Sequence, residues 1–135
     1  MRYAILAALT LATPVAAGEQ MSPEAFEQAT EGRTFHFSSN GGLYGAERYL
    51  PGRRVIWSFV DGQEVQECLD GEWYVAEDGD ICFVYEDDLG PQCWAFYREG
   101  DRIRGEFQSE PTDPTVYMAE ETSEPLLCMG PDVGV

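Results

Sequence analysis

Short alternating runs of β-forming residues fill the chain from Arg33 onward and limit the folds open to it. Apolar and polar side chains alternate in runs that recur roughly every ten residues, with Gly, Asp or Pro between them. Three of the breaks read Asp-Gly, at 61–62, 70–71 and 78–79, which is a strong hairpin signal. The pattern predicts a mainly β fold, an antiparallel meander of about eight strands that forms a small barrel or a sandwich. The predicted strands are 34–37, 43–49, 54–60, 65–69, 72–76, 80–86, 93–98, 102–108 and 116–119.

One segment, residues 22–31, has the pattern of a helix instead. Ser22 is a suitable N-cap, Pro23 fits the first turn, and Gly32 marks the end. Phe26 lies on the narrow apolar stripe of this helix. We expect the short N-terminal helix to cover one end of the predicted sheet.

Residues 1–17 have the three parts of a signal peptide. A positive charge at Arg2 precedes an apolar run of about ten residues, and Val15-Ala16-Ala17 supplies the small side chains of a cleavage box. The run is too short for a membrane-spanning helix, which needs about twenty apolar residues. We therefore expect cleavage after Ala17, a periplasmic or secreted location, and one disulfide-stabilised β domain at 18–135 without a membrane span.

The predicted mature chain contains four cysteines, Cys68, Cys82, Cys93 and Cys128. An even number in an oxidising compartment favours two disulfides, and the spacing contains no C-x-x-C pair for a redox centre or a zinc site. Three connectivities remain open. A bond between Cys82 and Cys93 is the easiest to close because the two lie on neighbouring predicted strands, and it would leave Cys68 to pair with Cys128.

The charge balance narrows the classes of chemistry. The chain has 25 acidic residues against 8 basic ones, a formal net charge of -17, and every basic residue is Arg. Such a field repels nucleic acid, and the lack of Lys excludes lysine nucleophiles. The single histidine, His36, leaves no multi-histidine metal site, and we expect it to be a strand residue turned to solvent or satisfied by a neighbour. We expect neither a cofactor nor a metal.

Two acidic clusters flank one predicted strand, Glu77-Asp78-Gly79-Asp80 and Glu86-Asp87-Asp88. They lie at opposite ends of the strand and so cannot share one catalytic site. Their oxygens suit calcium, but the sequence lacks the twelve-residue calcium loop, and turn formation explains the Asp-Gly step. A carboxylate-based hydrolase would require one carboxyl group whose pKa is raised above about 6.

Large aromatic residues are concentrated on the central predicted strands, where they either fill a core or line a pocket. Six of them form the candidate binding surface: Trp57, Trp73, Tyr74, Tyr85, Trp94 and Tyr97.

Three short segments carry a resemblance to a known group of proteins: Gly71-Glu72-Trp73, Ile81-Cys82-Phe83 and Gln92-Cys93-Trp94. With the preceding short helix, this G-x-W, Cys and Cys-aromatic pattern resembles small exported bacterial proteins of unknown function. The resemblance covers residues 22–108 and implies a lipocalin-like or related small β-barrel without an assigned activity. The architecture is also similar to that of exported lysozyme-inhibitor barrels.

The sequence supports three hypotheses of function. The first is a monomeric, non-enzymatic exported binding module that holds a small apolar ligand or an envelope partner. The second is a protein inhibitor that uses its acidic surface to attract a basic, lysozyme-like enzyme. The third is a hydrolase built on carboxylates.

Overall fold

The computed structural model describes residues 18–61, 64–65, 67–87 and 89–128. The predicted signal peptide, 1–17, lies outside the described residues. One helix and nine strands occur in the described part of the chain: α1 (Pro23–Thr30), β1 (Thr34–Ser39), β2 (Gly42–Leu50), β3 (Arg54–Asp61), β4 (Glu64–Val65), β5 (Leu69–Val75), β6 (Ile81–Tyr85), β7 (Gln92–Glu99), β8 (Arg102–Phe107) and β9 (Val116–Thr122).

Eight of these strands form a closed antiparallel barrel. Each pairs with the next along the chain, except that β4 is bypassed and β3 pairs with β5. The barrel closes where β9 pairs with β1, with Phe35 opposite Glu121. The two-residue β4 pairs with the end of β3 alone. The predicted mainly β class is confirmed, and of its two forms the structure is the barrel.

Helix α1 closes one end of the barrel, as predicted. The Ser22 hydroxyl accepts a hydrogen bond from the Ala25 amide at 3.1 Å and caps the helix. The buried Phe26 ring enters the barrel end, stacks on Phe96 at 4.5 Å and meets Trp73 edge to face at 5.5 Å. The half of the barrel next to α1 is therefore filled by side chains. Its core consists of Phe26, Ala29, Phe35, Tyr49, Val55, Trp73, Ile81, Phe83, Phe96, Ile103 and Ala119.

The predicted hairpin at Asp70-Gly71 is wrong, because both residues lie inside β5. A Cβ at position 71 would lie 2.6 Å from the Tyr85 ring and 2.8 Å from the carbonyl oxygen of Val84. Glycine is needed at position 71 because the neighbouring strand approaches closely there. Close approach is a common role of glycine within strands, besides its role in turns. The predicted strand 65–69 is also wrong, since Val65 ends β4 and Leu69 begins β5.

The other two Asp-Gly steps occupy different positions. Gly79 has a positive φ of 90°, and its amide donates to the Ala76 carbonyl at 2.9 Å, so the hairpin between β5 and β6 is confirmed. Asp61 ends β3, and Gly62 lies outside the described residues.

Two disulfides join the described cysteines. Cys82–Cys93 connects facing positions of β6 and β7. Cys68–Cys128 joins the residue before β5 to the segment that follows β9, and the Ser58 hydroxyl on β3 also donates to the Leu127 carbonyl at 3.2 Å. Disulfides of this kind persist in oxidising compartments, which indicates a location outside the cytoplasm. Among the described residues, none of the helical structure has the length and apolar character needed to cross a membrane.

Candidate functional site

A cavity occupies the half of the barrel that lies farther from α1. Its interior space is small, about 50 Å³ for the centre of a water-sized molecule, and it opens to solvent. Small-molecule sites in proteins are typically roughly 300–1,000 Å³, so this space is smaller, but it has the apolar and aromatic lining of such sites. Fourteen residues line this cavity: Phe37, Tyr44, Glu47, Tyr49, Trp57, Phe59, Leu69, Phe83, Tyr85, Asp87, Gln92, Trp94, Phe96 and Tyr117.

Aromatic rings in mutual contact form one wall of the cavity, the aromatic wall, which consists of Tyr44, Trp57, Phe59, Trp94 and Tyr117. The Tyr44 ring lies 5.2 Å from that of Tyr117 and 5.7 Å from that of Phe59, measured between centroids. Trp57 lies 5.4 Å from Phe59, and Trp94 lies 5.2 Å from Tyr117. These are the edge-to-face and tilted distances at which aromatic pairs attract each other, so the wall is a connected set of rings.

Glycine at position 45 allows this wall to form. The Gly45 Cα sits opposite Phe59 on β3, and a Cβ there would lie 2.5 Å from the Trp57 ring and 2.6 Å from the Ser58 carbonyl oxygen. The indole of Trp57 therefore lies directly on the β2 backbone.

A carboxylate, Glu47, is buried inside this aromatic cavity. Glu47 is on β2 opposite Trp57 and has 2% of its surface exposed. The Tyr85 hydroxyl, on β6, donates a hydrogen bond to Glu47 Oε2. The cavity thus combines an apolar wall with one buried acidic group that a phenol holds in place.

Burial dominates the ionisation of this group. Loss of solvent raises the pKa of Glu47 from 4.5 to about 7, while the hydroxyls of Tyr85 and Tyr49 act in the opposite direction. Burial, followed by the Glu47 charge, raises the pKa values of Tyr49 and Tyr85 well above 10. Near neutral pH, the cavity can therefore bind or release one proton at Glu47.

The structure divides the six predicted binding residues into two sets. Trp57, Tyr85 and Trp94 line the cavity. The other three, Trp73, Tyr74 and Tyr97, do not line it. Trp73 is buried in the core beside α1, with the Arg53 guanidinium 4.5 Å above its ring. Tyr74 and Tyr97 are placed elsewhere, Tyr74 being 43% exposed and Tyr97 lying under the Arg104 guanidinium at 4.6 Å.

The binding surface predicted from the sequence did not include Glu47 or the ring residues Phe37, Tyr44, Phe59 and Tyr117, although Tyr44 belongs to the cluster of aromatic residues that the sequence predicts for a core or a pocket. The signal for Glu47 was the alternation within the predicted strand 43–49, which places it on the same face as the apolar Tyr49. An acidic side chain on a core face is unusual, but the many acidic residues elsewhere in the chain obscured it.

The acidic clusters and His36 are found where the sequence places them. Asp80 precedes β6 and Glu86 follows it, so the clusters are at opposite ends of this strand, and Asp88 lies outside the described residues. In the described ranges, no group of three or more His, Cys, Asp or Glu side chains is arranged to hold a metal ion. The Nε2 of His36 lies 3.5 Å from a carboxylate oxygen of Glu124.

Comparisons with protein-family models, with curated proteins and with solved structures gave no match to this chain. The resemblance to small exported bacterial proteins therefore stays a prediction.

Proposed function

We propose that this protein is an exported, non-enzymatic binding module that holds a small apolar ligand in the open half of its barrel. The observation that carries the proposal is the contrast between the two halves. Side chains fill the half beside α1, whereas the other half holds a small ring-lined cavity of about 50 Å³ that opens to solvent. A connected aromatic wall offers a large apolar contact area without adding flexible side chains to be ordered on binding.

The two disulfides support an exported location, and one of them supports the rigidity of the cavity. Cys82–Cys93 joins β6 to β7, and these strands carry Tyr85 and Trp94 of the cavity lining. A rigid, preformed site loses less conformational entropy when a ligand binds. We propose the periplasm or the extracellular space as its location, after removal of residues 1–17.

A titration with Nile red, a neutral apolar dye, tests the binding function. We expect one dye per chain and a rise in dye fluorescence. Tyr44→Ala removes a ring of the wall and should weaken binding by about tenfold, in line with the area of an aromatic side chain. Tyr74→Ala is the matched control, since Tyr44 is 38% exposed and Tyr74 is 43% exposed, but Tyr74 is not part of the cavity lining.

The titration has two results that contradict the proposal. One is that the chain takes up no dye. The other is that Tyr44→Ala and Tyr74→Ala bind the dye equally well, because the dye would then occupy some other surface.

A carboxylate-based hydrolase is the second candidate, and Glu47 favours it. Its pKa of about 7 meets the requirement for an acid catalyst near neutral pH. Asp87 is the other carboxylate among the lining residues. Assay of the chain against a panel of nitrophenyl glycosides distinguishes the candidates: turnover that Glu47→Gln abolishes supports the hydrolase, and the binding module predicts none.

A further inference from the structure

Among the residues that the structure describes, none with a cationic side chain lines the cavity beside the buried Glu47 carboxylate. The lining residues include two carboxylates, Glu47 and Asp87, and no Arg or His. The hydrogen-bond donor to Glu47 in the described part of the chain is the neutral phenol of Tyr85. An ionised carboxylate in an apolar interior is costly unless a cation pairs with it.

The aromatic wall is suited to a cation as well as to apolar groups. Ring faces carry partial negative charge and attract ammonium groups, most strongly when the site is desolvated. Tyr44, Trp57, Phe59 and Tyr117 are joined by centroid distances of 5.2–5.7 Å, so they surround the same space as Glu47. Rings around a carboxylate form the arrangement that recognises alkylated ammonium ions.

A polar group next to Glu47, the Trp57 indole N–H, lacks a hydrogen-bond partner among the described residues. Trp57 is 8% exposed, and its buried Nε1 has no hydrogen-bond acceptor in the described ranges. Trp57 faces Glu47 across β2 and β3, where facing side chains lie about 5 Å apart. A ligand that carries an acceptor oxygen close to its cationic group would satisfy both residues.

Together these contacts deepen the proposed binding function, on which this inference rests. We infer that the ligand is an amphiphile with an ammonium head group, held by Glu47 as counter-ion within the aromatic wall, and with an acceptor oxygen for Trp57. The net charge of -17 also raises the local concentration of cations around the chain.

Binding of an ammonium group should be linked to the proton on Glu47. The other titratable lining residues are Tyr44, Tyr49, Tyr85, Tyr117 and the exposed Asp87. The pKa values of all four tyrosines are raised above their ordinary value of 10, so these phenols stay neutral at pH 6–8. Since the pKa of Glu47 is about 7, a cation should displace its proton, and affinity should fall about tenfold from pH 8 to pH 6.

Calorimetric titration with three probes of equal chain length tests the inference: octyltrimethylammonium, octanol and octanoate. At pH 8 we expect the ammonium probe to bind at least about tenfold more tightly than octanol, and octanoate to bind most weakly. Titrations in two buffers of different ionisation enthalpy should show proton release near pH 7. Octanoylcholine, which adds an ester oxygen, should bind more tightly than octyltrimethylammonium. Trp57→Phe should remove this difference in affinity.

Two variants separate the cavity from the general acidity of the chain. Glu47→Gln should abolish both the preference for ammonium and the proton release, while octanol binding remains. Glu72→Gln removes the same charge from an exposed position of β5 outside the cavity and should change neither.

The ammonium group occurs in free amines and in lipid head groups, and vesicles distinguish these sources. Binding to phosphatidylcholine vesicles but not to phosphatidylglycerol vesicles points to a lipid. Binding of the soluble probe alone points to a free amphiphile.

The inference and the proposed function fail in different ways. Equal affinity for octanol and the ammonium probe, with binding still weakened by Tyr44→Ala, overturns the inference and leaves the binding module standing. Persistence of the ammonium preference in Glu47→Gln overturns it as well. Failure of every probe to bind overturns both.

Discussion

The hydroxyl of Tyr85 donates a hydrogen bond to the carboxylate of Glu47 across the interior of the barrel. Tyr85 lies on β6 and Glu47 on β2, two strands that are not neighbours in the sheet. The bond fixes the carboxylate at the boundary between the filled core and the aromatic cavity. The protonation of Glu47 should therefore affect both the stability of the fold and the binding chemistry of the cavity.

The stability of the protein should depend on pH through Glu47. Burial raises its pKa in the folded state from 4.5 to about 7, so the folded state binds more protons than the unfolded state between these values. The contribution of Glu47 to the free energy of unfolding is greatest below pH 4.5 and should fall by about 3 kcal/mol as the pH rises through 7. Urea unfolding at pH 4.5, 6 and 8 measures this fall.

Variants assign that pH dependence to a residue. The difference in free energy of unfolding between Glu47→Gln and the wild type should favour the variant more at pH 8 than at pH 4.5. For Glu72→Gln, at an exposed position, this difference should be the same at both pH values. The same pH profile in the wild type and in Glu47→Gln would show that other groups cause the dependence.

Trp73 should stabilise the filled half of the barrel. Its ring is buried, contacts Phe26 at 5.5 Å and carries the Arg53 guanidinium on one face. Trp73→Ala should lower the free energy of unfolding by about 3–5 kcal/mol because it leaves a cavity beside α1. Tyr74→Ala, at the adjacent exposed position, should lower it by less than about 1 kcal/mol. A loss for Trp73→Ala as small as that for Tyr74→Ala would contradict the core assignment.

The two disulfides should differ in their contribution to stability. The Cys68–Cys128 bond closes a sequence separation of 60 residues and Cys82–Cys93 one of 11. Loop-closure entropy therefore predicts a stabilisation of about 4 kcal/mol for the first and about 3 kcal/mol for the second. Melting of the two double Cys→Ser variants measures each loss, and an unchanged melting temperature in reductant would argue against a structural role for both.

Gly71 should not tolerate a larger residue. In Gly71→Ala the new methyl group would lie 2.8 Å from the Val84 carbonyl oxygen, which belongs to the backbone and cannot move away cheaply. We expect a loss of about 1–3 kcal/mol, typical of overpacking. Gly42→Ala is the control, because its nearest neighbour is the Ser39 carbonyl oxygen at 3.7 Å. Equal stability of the two variants in urea would show that β5 and β6 can separate.

The local signals in the sequence were sufficient for most of the fold. Alternation in runs such as 54–60 and 102–108 reports which side chains share a face, and the Ser22 cap with Gly32 bounds the helix. The error at Asp70-Gly71 has a physical cause. A glycine that forms a turn and one that allows close approach of a neighbouring strand look alike in a sequence.

The candidate site was harder to predict because it depends on contacts between distant segments. Trp57, Tyr85 and Trp94 stand out as large rings, but which face of the sheet closes around them is decided by the barrel. Glu47 is one of 25 acidic residues, and burial distinguishes it from the other acidic side chains that the structure describes. The raised pKa of Glu47 can be inferred only once the barrel places β2 across from β6, because that arrangement buries the carboxylate beside Tyr85.

Native mass spectrometry of the protein, purified from its host without added ligand, tests the central claim most directly. We predict one additional small-molecule mass per wild-type chain, retained in Tyr74→Ala and lost or depleted in Tyr44→Ala. A bare wild-type chain that also takes up no Nile red would contradict the assignment of the barrel interior as a ligand site.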